Sequence, residues 1–430
     1  MKAQRAHVGE LLTEPDFRIL LFSQFIAQAA DGFAQATFAN LLVLEPLSAG
    51  TPMRILYLFG LTLLPYSLFS PFLGVFVDRW ARRSVMQWSN IARGILLVTL
   101  PLWRGVLPGD TALYASMLLL LSLGRLFLTT KGALLPTLLH EHHLIRGNSI
   151  SSGGGMIAAL VGGAIGLFAS NGLGDTPSFL LAGTFYFGAA RVVKNLSGPF
   201  SHPHARAENF GAAVTRITAE LTEGIVAIWN AVRARVALIG IFLVRTIGMF
   251  VFIAAILVIK DEYPGHPGEF ARLSTSALAL GAAGVGAFVG AVTAPLAGRR
   301  FDKGGLILLG FSVSGLGIVA LGGVENFWAL MVLTFLGGYG GFVTKVAVDA
   351  QVQEALPDEL RGRAFALYDI LFNLASVAAG ILMVLTDSFP LRPTLIVAGC
   401  VSLVLAVGLG FAMAHAGIEL RATAASAQEA

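Results

Sequence analysis

Long apolar stretches alternate with short polar ones along the whole chain. The apolar runs are about 18 to 28 residues long, enough for an α-helix to cross roughly 30 Å of hydrocarbon. Such continuous runs predict helices, because the strands of an outer-membrane barrel would show as short segments of alternating polarity. Twelve membrane-spanning helices are predicted, at residues 17–44, 54–77, 84–103, 113–135, 149–170, 178–193, 236–259, 273–297, 305–321, 327–348, 364–385 and 393–413.

The composition is typical of a membrane protein. Hydrophobic residues make up 56% of the 430 positions and charged residues only 13%, with a mean hydropathy of +0.76. A soluble domain carries about 25% charged residues. The single cysteine, Cys400, lies in an apolar run, so no disulfide framework is predicted. Residues 1–15 lack the apolar core of a signal peptide, so the first helix is expected to insert uncleaved.

The distribution of basic residues predicts the orientation in the membrane. If the N-terminus is cytoplasmic, nineteen of the 29 Lys and Arg residues lie in or beside inner segments and five in outer loops. Cytoplasmic loops carry an excess of Lys and Arg, so both termini are predicted to be cytoplasmic. This topology also explains the net charge of +4 without a nucleic-acid partner. The expected location is the bacterial inner (plasma) membrane.

A polar stretch at residues 194–235 divides the chain into two halves. Its first part is rich in Pro, Ser and His, which is typical of a loop. Its second part is amphipathic and predicts a helix on the cytoplasmic membrane surface. The stripe of apolar residues in that helix comprises Ile217, Leu221, Ile225, Ile228 and Val232. The predicted organisation is a six-helix bundle at 1–195, a linker at 196–235, a second six-helix bundle at 236–415 and a cytoplasmic tail at 416–430.

The two halves share short patterns at nearly one offset. Segment 74–79 places a glycine, a carboxylate and a base at the same spacing as segment 298–303. A Thr-Lys pair at 130–131 recurs at 344–345. Several pairings near half the chain length predict an internal repeat, as many transporters contain.

These motifs resemble the major facilitator superfamily, and the likeness covers essentially the whole chain. Segment 74–83, Gly-Val-Phe-Val-Asp-Arg-Trp-Ala-Arg-Arg, matches the signature loop between helices 2 and 3 of that family. Segment 356–365, Leu-Pro-Asp-Glu-Leu-Arg-Gly-Arg-Ala-Phe, is similar to the loop between helices 10 and 11 in the drug- and siderophore-exporter branches. Gln351 and Gln353 fit the same branch. The resemblance implies an all-α fold of twelve transmembrane helices in two pseudo-symmetric six-helix bundles.

Two positions depart from the patterns of drug/proton antiporters in this family. Gly163 stands where the helix-5 pattern has a proline. Thr129 stands where the helix-4 pattern has a glycine, four residues after Arg125. Both departures weaken the case for drug/proton antiport while leaving other transport modes open.

The resemblance also implies a gate at the cytoplasmic ends of the helices. Asp78 would face the positive N-terminal end of helix 11, near Arg363, and hold this side closed. The bases of the loop would pair with acidic groups or lipid phosphates; the alternative is ordinary anchoring by positive charge. The predicted gate residues are Gly74, Asp78, Arg79, Arg82, Arg83, Gly298, Asp302, Arg361 and Arg363.

Charged residues inside the spans are the candidates for binding, because such a charge is costly unless it faces a partner or a water-filled cavity. In the family that this chain resembles, helices 1, 4, 7 and 10 line the cavity. Asp31, Arg125 and Arg245 lie near the middle of helices 1, 4 and 7. An aspartate there could hold a proton or an anionic substrate group. The alternative is a structural ion pair of Asp31 with Arg125 or Arg245.

Five further charges within the spans or directly at their ends are weaker candidates. Lys131, Lys345 and Asp349 are nearer the cytoplasmic ends of helices 4 and 10, where they could contact substrate, line an inner gate or snorkel. Arg93 and Asp369 lie on helices that more often support the cavity than line it. The glycines of spans 5 and 8 allow close helix approach, either as simple packing or as a sliding interface between the halves.

The predicted function is secondary transport by alternating access around a cavity at mid-membrane depth. The Walker sequence for ATP is not present, nor is a complete hydrolase or zinc-peptidase motif, since the cluster at 140–143 lacks the final histidine of H-E-x-x-H. Neither enzymatic activity, a metal nor a cofactor is therefore expected.

Export of a small amphipathic or hydrophobic molecule is favoured, with protons as the coupling ion. The expected partners are this substrate, membrane lipids and protons, and the fold is expected to work as a monomer. A lipid or lysophospholipid flippase of the same fold, and a non-transporting receptor or scaffold, are the alternatives.

Overall fold

The computed structural model describes residues 11–44, 53, 56–57, 60–61, 80–107, 109–139, 141–198, 210–263, 275–298, 300–355 and 358–416. Within these ranges the chain forms twelve α-helices, and the prediction of an all-helical protein is confirmed. The predicted second span lies largely outside the described residues, as do Gly74, Asp78 and Arg79 of the signature loop.

Five helices of the first half correspond to the predicted spans 1 and 3 to 6. The first is followed by a π-helical turn, Asn40–Leu44. A sixth helix, α6, occupies the linker. Their bounds are α1 Pro15–Ala39, α2 Arg82–Trp103, α3 Thr111–Leu138, α4 Glu141–Leu173, α5 Asp175–Val193 and α6 Phe210–Asn230.

Six helices of the second half correspond to the predicted spans 7 to 12. Their bounds are α7 Val232–Glu262, α8 Thr275–Ala297, α9 Lys303–Gly323, α10 Phe327–Ala355, α11 Asp358–Leu385 and α12 Leu391–His415. Several helices are longer than their apolar runs. The helix α4 begins eight residues before the predicted start, and α10 extends seven residues beyond the predicted end. These extra turns are polar, and hydropathy does not register them because polar helical turns can project beyond the hydrocarbon layer.

Contacts within the chain define two units. Unit 1 comprises Met1–Leu47 and Leu64–Ile217, and unit 2 comprises Ser48–Leu63 and Thr218–Ala430. Unit 2 therefore includes a short segment of the predicted second span. Within this unit, a Cβ added at Gly380 would lie 3.0 Å from the Cα of Leu56, so α11 packs closely on that segment.

Corresponding helices pack in the same way inside each unit. In unit 1, α1 packs against α3, α4 and α5, and α2 packs against α3 and α5. In unit 2, α7 packs against α10, α11 and α12, and α9 packs against α10 and α12. These five pairings in unit 1 recur in unit 2 with a shift of six spans, so the packing supports the internal repeat predicted from the sequence.

The repeated Thr-Lys pair occupies equivalent sites in the two units. Thr130 on α3 and Thr344 on α10 are both fully buried. Each hydroxyl donates to the carbonyl four residues earlier, at 2.8 and 2.9 Å. Each threonine is followed by a lysine that is partly buried. The short sequence pattern therefore marks a local structure that occurs once in each unit.

Glycines bring helices together within each unit. A Cβ added at Gly162 of α4 would overlap the carbonyl of Ala29 on α1, and one added at Gly286 of α8 would overlap the carbonyl of Phe335 on α10. Only a residue without a side chain allows backbones to approach this closely. These contacts correspond to the packing alternative for the glycines of spans 5 and 8.

Six helical segments among the described residues are long and apolar enough to cross a membrane. They are Thr111–Leu138, Ile150–Leu173, Ala234–Ile259, Gly304–Gly323, Phe327–Val348 and Leu391–His415. Two shorter apolar segments, Gly281–Ala294 and Ile370–Leu385, lie within α8 and α11.

The linker helix α6 is longer at its N-terminal end than the amphipathic pattern predicted. Ile228 packs against the core of unit 2, whereas Ile225 is 53% exposed. Val226 and Trp229, which lie off the predicted stripe, are also exposed. The exposed apolar side chains are consistent with a surface helix, and its contact with the membrane stays a prediction.

Candidate functional site

A buried ion pair links α1 and α2 in unit 1. Nη1 of Arg93 lies 2.7 Å from Oδ1 of Asp31. The side chain of Arg93 is fully buried, and that of Asp31 is 16% exposed. An arginine at the centre of a bilayer costs about 2.5–3.5 kcal/mol on insertion scales. The carboxylate of Asp31 offsets this cost by supplying the opposite charge at hydrogen-bond distance.

Further side chains enclose the pair. The hydroxyl of Tyr186 on α5 donates to Oδ1 of Asp31 at 2.5 Å, and Nη2 of Arg93 donates to Oδ1 of Asn90. The guanidinium lies over the rings of Tyr186 and Phe127, with Cζ 4.5 and 5.2 Å from the ring centroids. These contacts join α1, α2, α3 and α5 around a single charged centre.

Gly124 on α3 provides room for this centre. A Cβ at this position would lie 3.5 Å from Nη1 of Arg93 and 3.7 Å from Oδ1 of Asp31. Methyl-sized groups are therefore tolerated, while a longer side chain would displace the pair. Both hydrogen bonds to Asp31 use Oδ1, and among the described residues Oδ2 accepts none. The carboxylate thus keeps one oxygen that can take a proton or another donor.

The partner of Asp31 differs from the predicted ones. The sequence interpretation named Arg125 or Arg245 as the counter-ion of a structural pair and placed Arg93 on a supporting helix. The observed ion pair is with Arg93. Arg125 lies on α3 beside Gly124 and is partly buried. Sequence reasoning did not identify Asn90, Phe127 or Tyr186 as neighbours of the pair. The spacing of Asn90 and Arg93 could have indicated their contact, because residues three positions apart lie on one face of a helix.

Lys131 belongs to a second polar network in unit 1. Its Nζ donates to Oγ of Ser151 at 3.0 Å, and that hydroxyl donates to Oε1 of Gln24 at 2.7 Å. The amide of Gln24 in turn donates to the Ser151 carbonyl and to Oε1 of Gln28. Gln24 and Ser151 are fully buried. The network fastens α3 and α4 to α1 through neutral groups and one lysine.

Arg245 lies in unit 2 near the middle of the apolar segment Ala234–Ile259, about 16 Å from its start at 1.5 Å per residue. Its Cζ is 4.2 Å from the ring centroid of Phe372 on α11, a cation–π contact. Its Nε atom is buried and has no hydrogen-bond partner among the described residues. Nε of Arg93 is also buried without a partner, but the charge of Arg93 is met by a carboxylate, and none meets Arg245 among the described residues.

Lys345 on α10 approaches the same aromatic surface. Its Nζ lies 5.6 Å from the ring centroid of Tyr368 and 5.8 Å from that of Phe372. The two rings stack, with centroids 6.0 Å apart and planes 18° apart. Tyr368 and Phe372 are four residues apart and so share one face of α11. The side chain of Asp349, on α10, lies outside the described residues.

The two described arginines of the signature loop donate to backbone carbonyls. Nη1 of Arg82 is 2.9 Å from the carbonyl oxygen of Ala133 at the end of α3. Nη1 of Arg83 is 3.0 Å from the carbonyl oxygen of Leu196, just after α5. The sequence predicted acidic groups or lipid phosphates as partners; the protein partners observed among the described residues are these two carbonyls, one in the last turns of α3 and one after α5.

The second copy of the loop forms a helix cap. Oδ1 of Asp302 accepts a hydrogen bond of 2.6 Å from the backbone N–H of Gly305, which caps α9. Oδ2 of Asp302 is buried without a hydrogen-bond partner among the described residues. Gly298 follows the end of α8. The side chains of Arg361 and Arg363 lie outside the described part of α11, so the gate between these residues stays a prediction.

The opposite end of unit 2 holds a bidentate ion pair. Nε of Arg392, at the start of α12, donates to Oε1 of Glu262 at 2.6 Å, and Nη2 donates to Oε2. Nη1 of the same guanidinium donates to the carbonyl of Val324 at 2.7 Å. Arg392 thereby joins α12 to the ends of α7 and α9. This contact was not predicted from the sequence.

Comparison with known proteins identifies the family. The sequence pattern of the Major Facilitator Superfamily matches residues 20–305 and, in a second match, 271–426. Uncharacterized MFS-type transporters of Mycobacterium tuberculosis and Mycobacterium bovis are 29% identical to the chain over 370 residues, covering 83% of this chain and 82% of theirs.

Solved transporter structures share the fold. A POT family transporter in complex with 5-aminolevulinic acid is 13% identical, with a TM-score of 0.70 over 92% of this chain and 96% of the other. The peptide transporter POT in complex with sulfate is 16% identical, with a TM-score of 0.69 and 96% coverage of both chains. The nucleoside transporter NupG is 12% identical, with a TM-score of 0.66 over 94% of this chain and 99% of the other. These likenesses extend over both units and confirm the predicted fold class. The chain therefore belongs to the major facilitator superfamily and is an MFS-type membrane transporter.

Proposed function

We propose that the chain is a secondary transporter that exports a small amphipathic or hydrophobic molecule by alternating access, and that protons drive it through Asp31. Membership of a transporter family supports the general activity. The direction rests on the exporter-like segment 356–365, and the cargo class on the apolar spans with few charges at mid-depth. Both termini are proposed to lie in the cytoplasm.

The observation that supports proton coupling is that both hydrogen bonds to Asp31 are accepted by the same carboxylate oxygen. Its Oδ1 is engaged by Arg93 and Tyr186, whereas Oδ2 accepts no hydrogen bond among the described residues and the side chain is 16% exposed. An ionisable group inside a membrane span is a functional candidate by default. Protonation at Oδ2 would remove the negative charge next to Arg93 and weaken the link between α1 and α2. Proton binding would thereby act directly on helix packing.

Flux into proteoliposomes tests this proposal. The purified protein is reconstituted, and radiolabelled octyl phosphate, octyl glucoside and octyltrimethylammonium are offered at micromolar concentration with and without an imposed pH gradient. We expect protein-dependent flux of at least one amphiphile and its acceleration by the gradient. Absence of flux for all three would favour a receptor or scaffold. Flux that does not depend on the pH gradient would contradict proton coupling.

A flippase is the second candidate function. The observation that favours it is the pair of cations, Arg245 and Lys345, beside two stacked aromatic rings in unit 2, because a lipid headgroup combines an oxyanion with an apolar body. Reconstituted vesicles with a fluorescent lysophospholipid in one leaflet distinguish the two cargoes. Protein-dependent transfer between leaflets, without flux of the soluble amphiphiles, would support the flippase.

A further inference from the structure

We infer that Arg245, together with Lys345 and the ring pair Tyr368–Phe372, binds the oxyanion group of the transported molecule. The ligand class is an amphiphile that carries a phosphate or carboxylate next to an apolar body. This inference rests on the proposed transport of an amphiphile and specifies which kind is taken.

The first support is the bonding of Arg245. Its guanidinium lies at mid-span on α7 and contacts the face of Phe372 at 4.2 Å. Its Nε is buried without a hydrogen-bond acceptor among the described residues. Buried donors in native proteins are nearly always satisfied. A bound oxyanion satisfies a guanidinium best, because two parallel N–H groups match two oxygens.

The second support is that three other arginines with described surroundings each have a hydrogen-bond acceptor. Arg93 is met by Asp31 at 2.7 Å, and Arg392 is met by both oxygens of Glu262. Arg235, at the start of α7, also stacks on an aromatic ring, with Cζ 5.1 Å from the centroid of Trp229, but its Nη1 donates to the Trp229 carbonyl at 2.8 Å. Among the described residues, Arg245 therefore has the aromatic contact without any hydrogen-bond acceptor, whereas Arg93, whose Nε is likewise buried without a partner, has acceptors at both Nη atoms.

The third support is the clustering of positive charge. Lys345 and Arg245 both lie within 6 Å of the Phe372 ring centroid, at 5.8 and 4.2 Å. Two cations on one aromatic surface would both attract an oxyanion that binds beside it. Tyr368 is almost fully buried, so the ring pair is a fixed part of the unit. An oxyanion would bridge the cations while an apolar body lies beside Phe372, the partly exposed ring of the pair.

Asp349 and Asp369, on α10 and α11, lie four and one residues along the chain from Lys345 and Tyr368, with side chains outside the described residues. An internal carboxylate is therefore the competing account of the charge of Arg245, and the experiment separates it from a bound ligand. If Asp369 were the counter-ion, Asp369→Asn would increase the affinity for anionic probes, and Arg245→Gln would lower thermal stability as strongly as the loss of an ion pair does.

The test measures binding to the purified full-length protein in a neutral detergent, so it does not depend on flux. The probes are octyl phosphate, octanoate and the neutral octyl glucoside, and the readout is the ligand-induced shift of the thermal unfolding midpoint as a function of concentration. The variants are Arg245→Gln, Arg245→Lys and Asp369→Asn. Arg235→Gln is the matched control, since it removes a ring-stacked arginine from the same helix.

We expect Arg245→Gln to weaken binding of both anions by about ten-fold, because a charge-assisted pair of hydrogen bonds is lost. Arg245→Lys is expected to be intermediate, since it keeps the charge but loses the planar fork. Arg235→Gln should change affinity by less than about two-fold, as should every variant for octyl glucoside. Equal binding of the anions to wild type and Arg245→Gln would overturn the assignment, even if transport is observed.

Lysophosphatidylglycerol added to the same assay identifies the source of the oxyanion. Binding of this lipid, lost in Arg245→Gln, without binding of octyl phosphate or octanoate would support a lipid headgroup as the ligand. The reverse pattern would support a soluble amphiphile. Binding that depends on Arg245 in the absence of any flux would sustain this site while contradicting the proposed transport of these probes.

Discussion

Asp31 on α1 and Arg93 on α2 form an ion pair with 2.7 Å between Oδ1 and Nη1, and the arginine has no exposed surface. The two residues are 62 positions apart and come from different helices. Their opposite charges compensate each other in the interior of unit 1. Tyr186 donates a further hydrogen bond to the same oxygen of Asp31. A carboxylate that holds helices together and, among the described residues, accepts hydrogen bonds through one oxygen only can couple its protonation to helix packing.

Removing one charge of this pair should be more harmful than removing both. Asp31→Asn leaves Arg93 buried without a counter-charge and is expected to lower the free energy of unfolding by about 3 kcal/mol. The double variant Asp31→Asn/Arg93→Gln replaces both ions by amides and should recover most of that loss. Thermal unfolding in detergent, followed by tryptophan fluorescence, measures both. A double variant no more stable than the single one would contradict the idea that the loss of stability comes from leaving Arg93 buried without its counter-charge.

The glycine contacts of α4 predict a contrast within one helix. Gly162→Ala places a methyl group on the carbonyl of Ala29 and forces α1 and α4 apart, at an expected cost of about 2 kcal/mol. Gly172→Ala, where a Cβ meets no heavy atom within 4 Å among the described residues, should be neutral or slightly stabilising because alanine favours helix. The same unfolding assay compares the two. Equal stability of both variants would contradict the close approach of α1 and α4.

The ion pair between Arg392 and Glu262 should contribute more than the looser one between Arg104 and Asp175. Arg392 bonds both carboxylate oxygens and the Val324 carbonyl, so Arg392→Gln is expected to cost about 1 kcal/mol of unfolding free energy. Arg104 is 40% exposed and 3.7 Å from its partner, so Arg104→Gln should cost less than about 0.5 kcal/mol. A larger loss for Arg104→Gln would mean that the bidentate geometry does not fasten α12 to α7.

Asp302 offers a test between a cap and a gate. As the N-cap of α9 it should be replaceable by Asn, which keeps an acceptor for the N–H of Gly305, whereas Asp302→Ala should lower stability by about 1 kcal/mol. The predicted gate role requires the charge itself. Stability and flux of Asp302→Asn separate the two: native stability with native flux identifies a cap alone, and native stability with reduced flux supports the gate.

The helices were predictable because each apolar run long enough to span a membrane leaves a continuous signal in the sequence. The repeat was predictable for a related reason, since Thr130-Lys131 and Thr344-Lys345 stand at one offset and occupy equivalent buried sites. Polar turns beyond the membrane, such as the start of α4 at Glu141, carry no such signal.

The partner of Asp31 was not predictable from depth and helix number. Arg93, Arg125 and Arg245 all lie well inside their spans, and hydropathy does not say which helix faces meet. The choice depends on packing, in which Gly124 leaves room for the pair and Tyr186 reaches Asp31 from α5. Side-chain partners of the signature arginines were missed similarly, because a carbonyl at a helix end has no mark in the sequence.

Proton coupling through Asp31 is the central claim, and the Asp31→Asn/Arg93→Gln variant tests it most directly, since it is expected to remain folded. In proteoliposomes, substrate exchange at equal pH is compared with accumulation driven by a pH gradient, using whichever octyl amphiphile the wild-type protein transports. We predict that the variant retains exchange but loses gradient-driven accumulation. Accumulation equal to that of the wild type under the same gradient would contradict the role of Asp31.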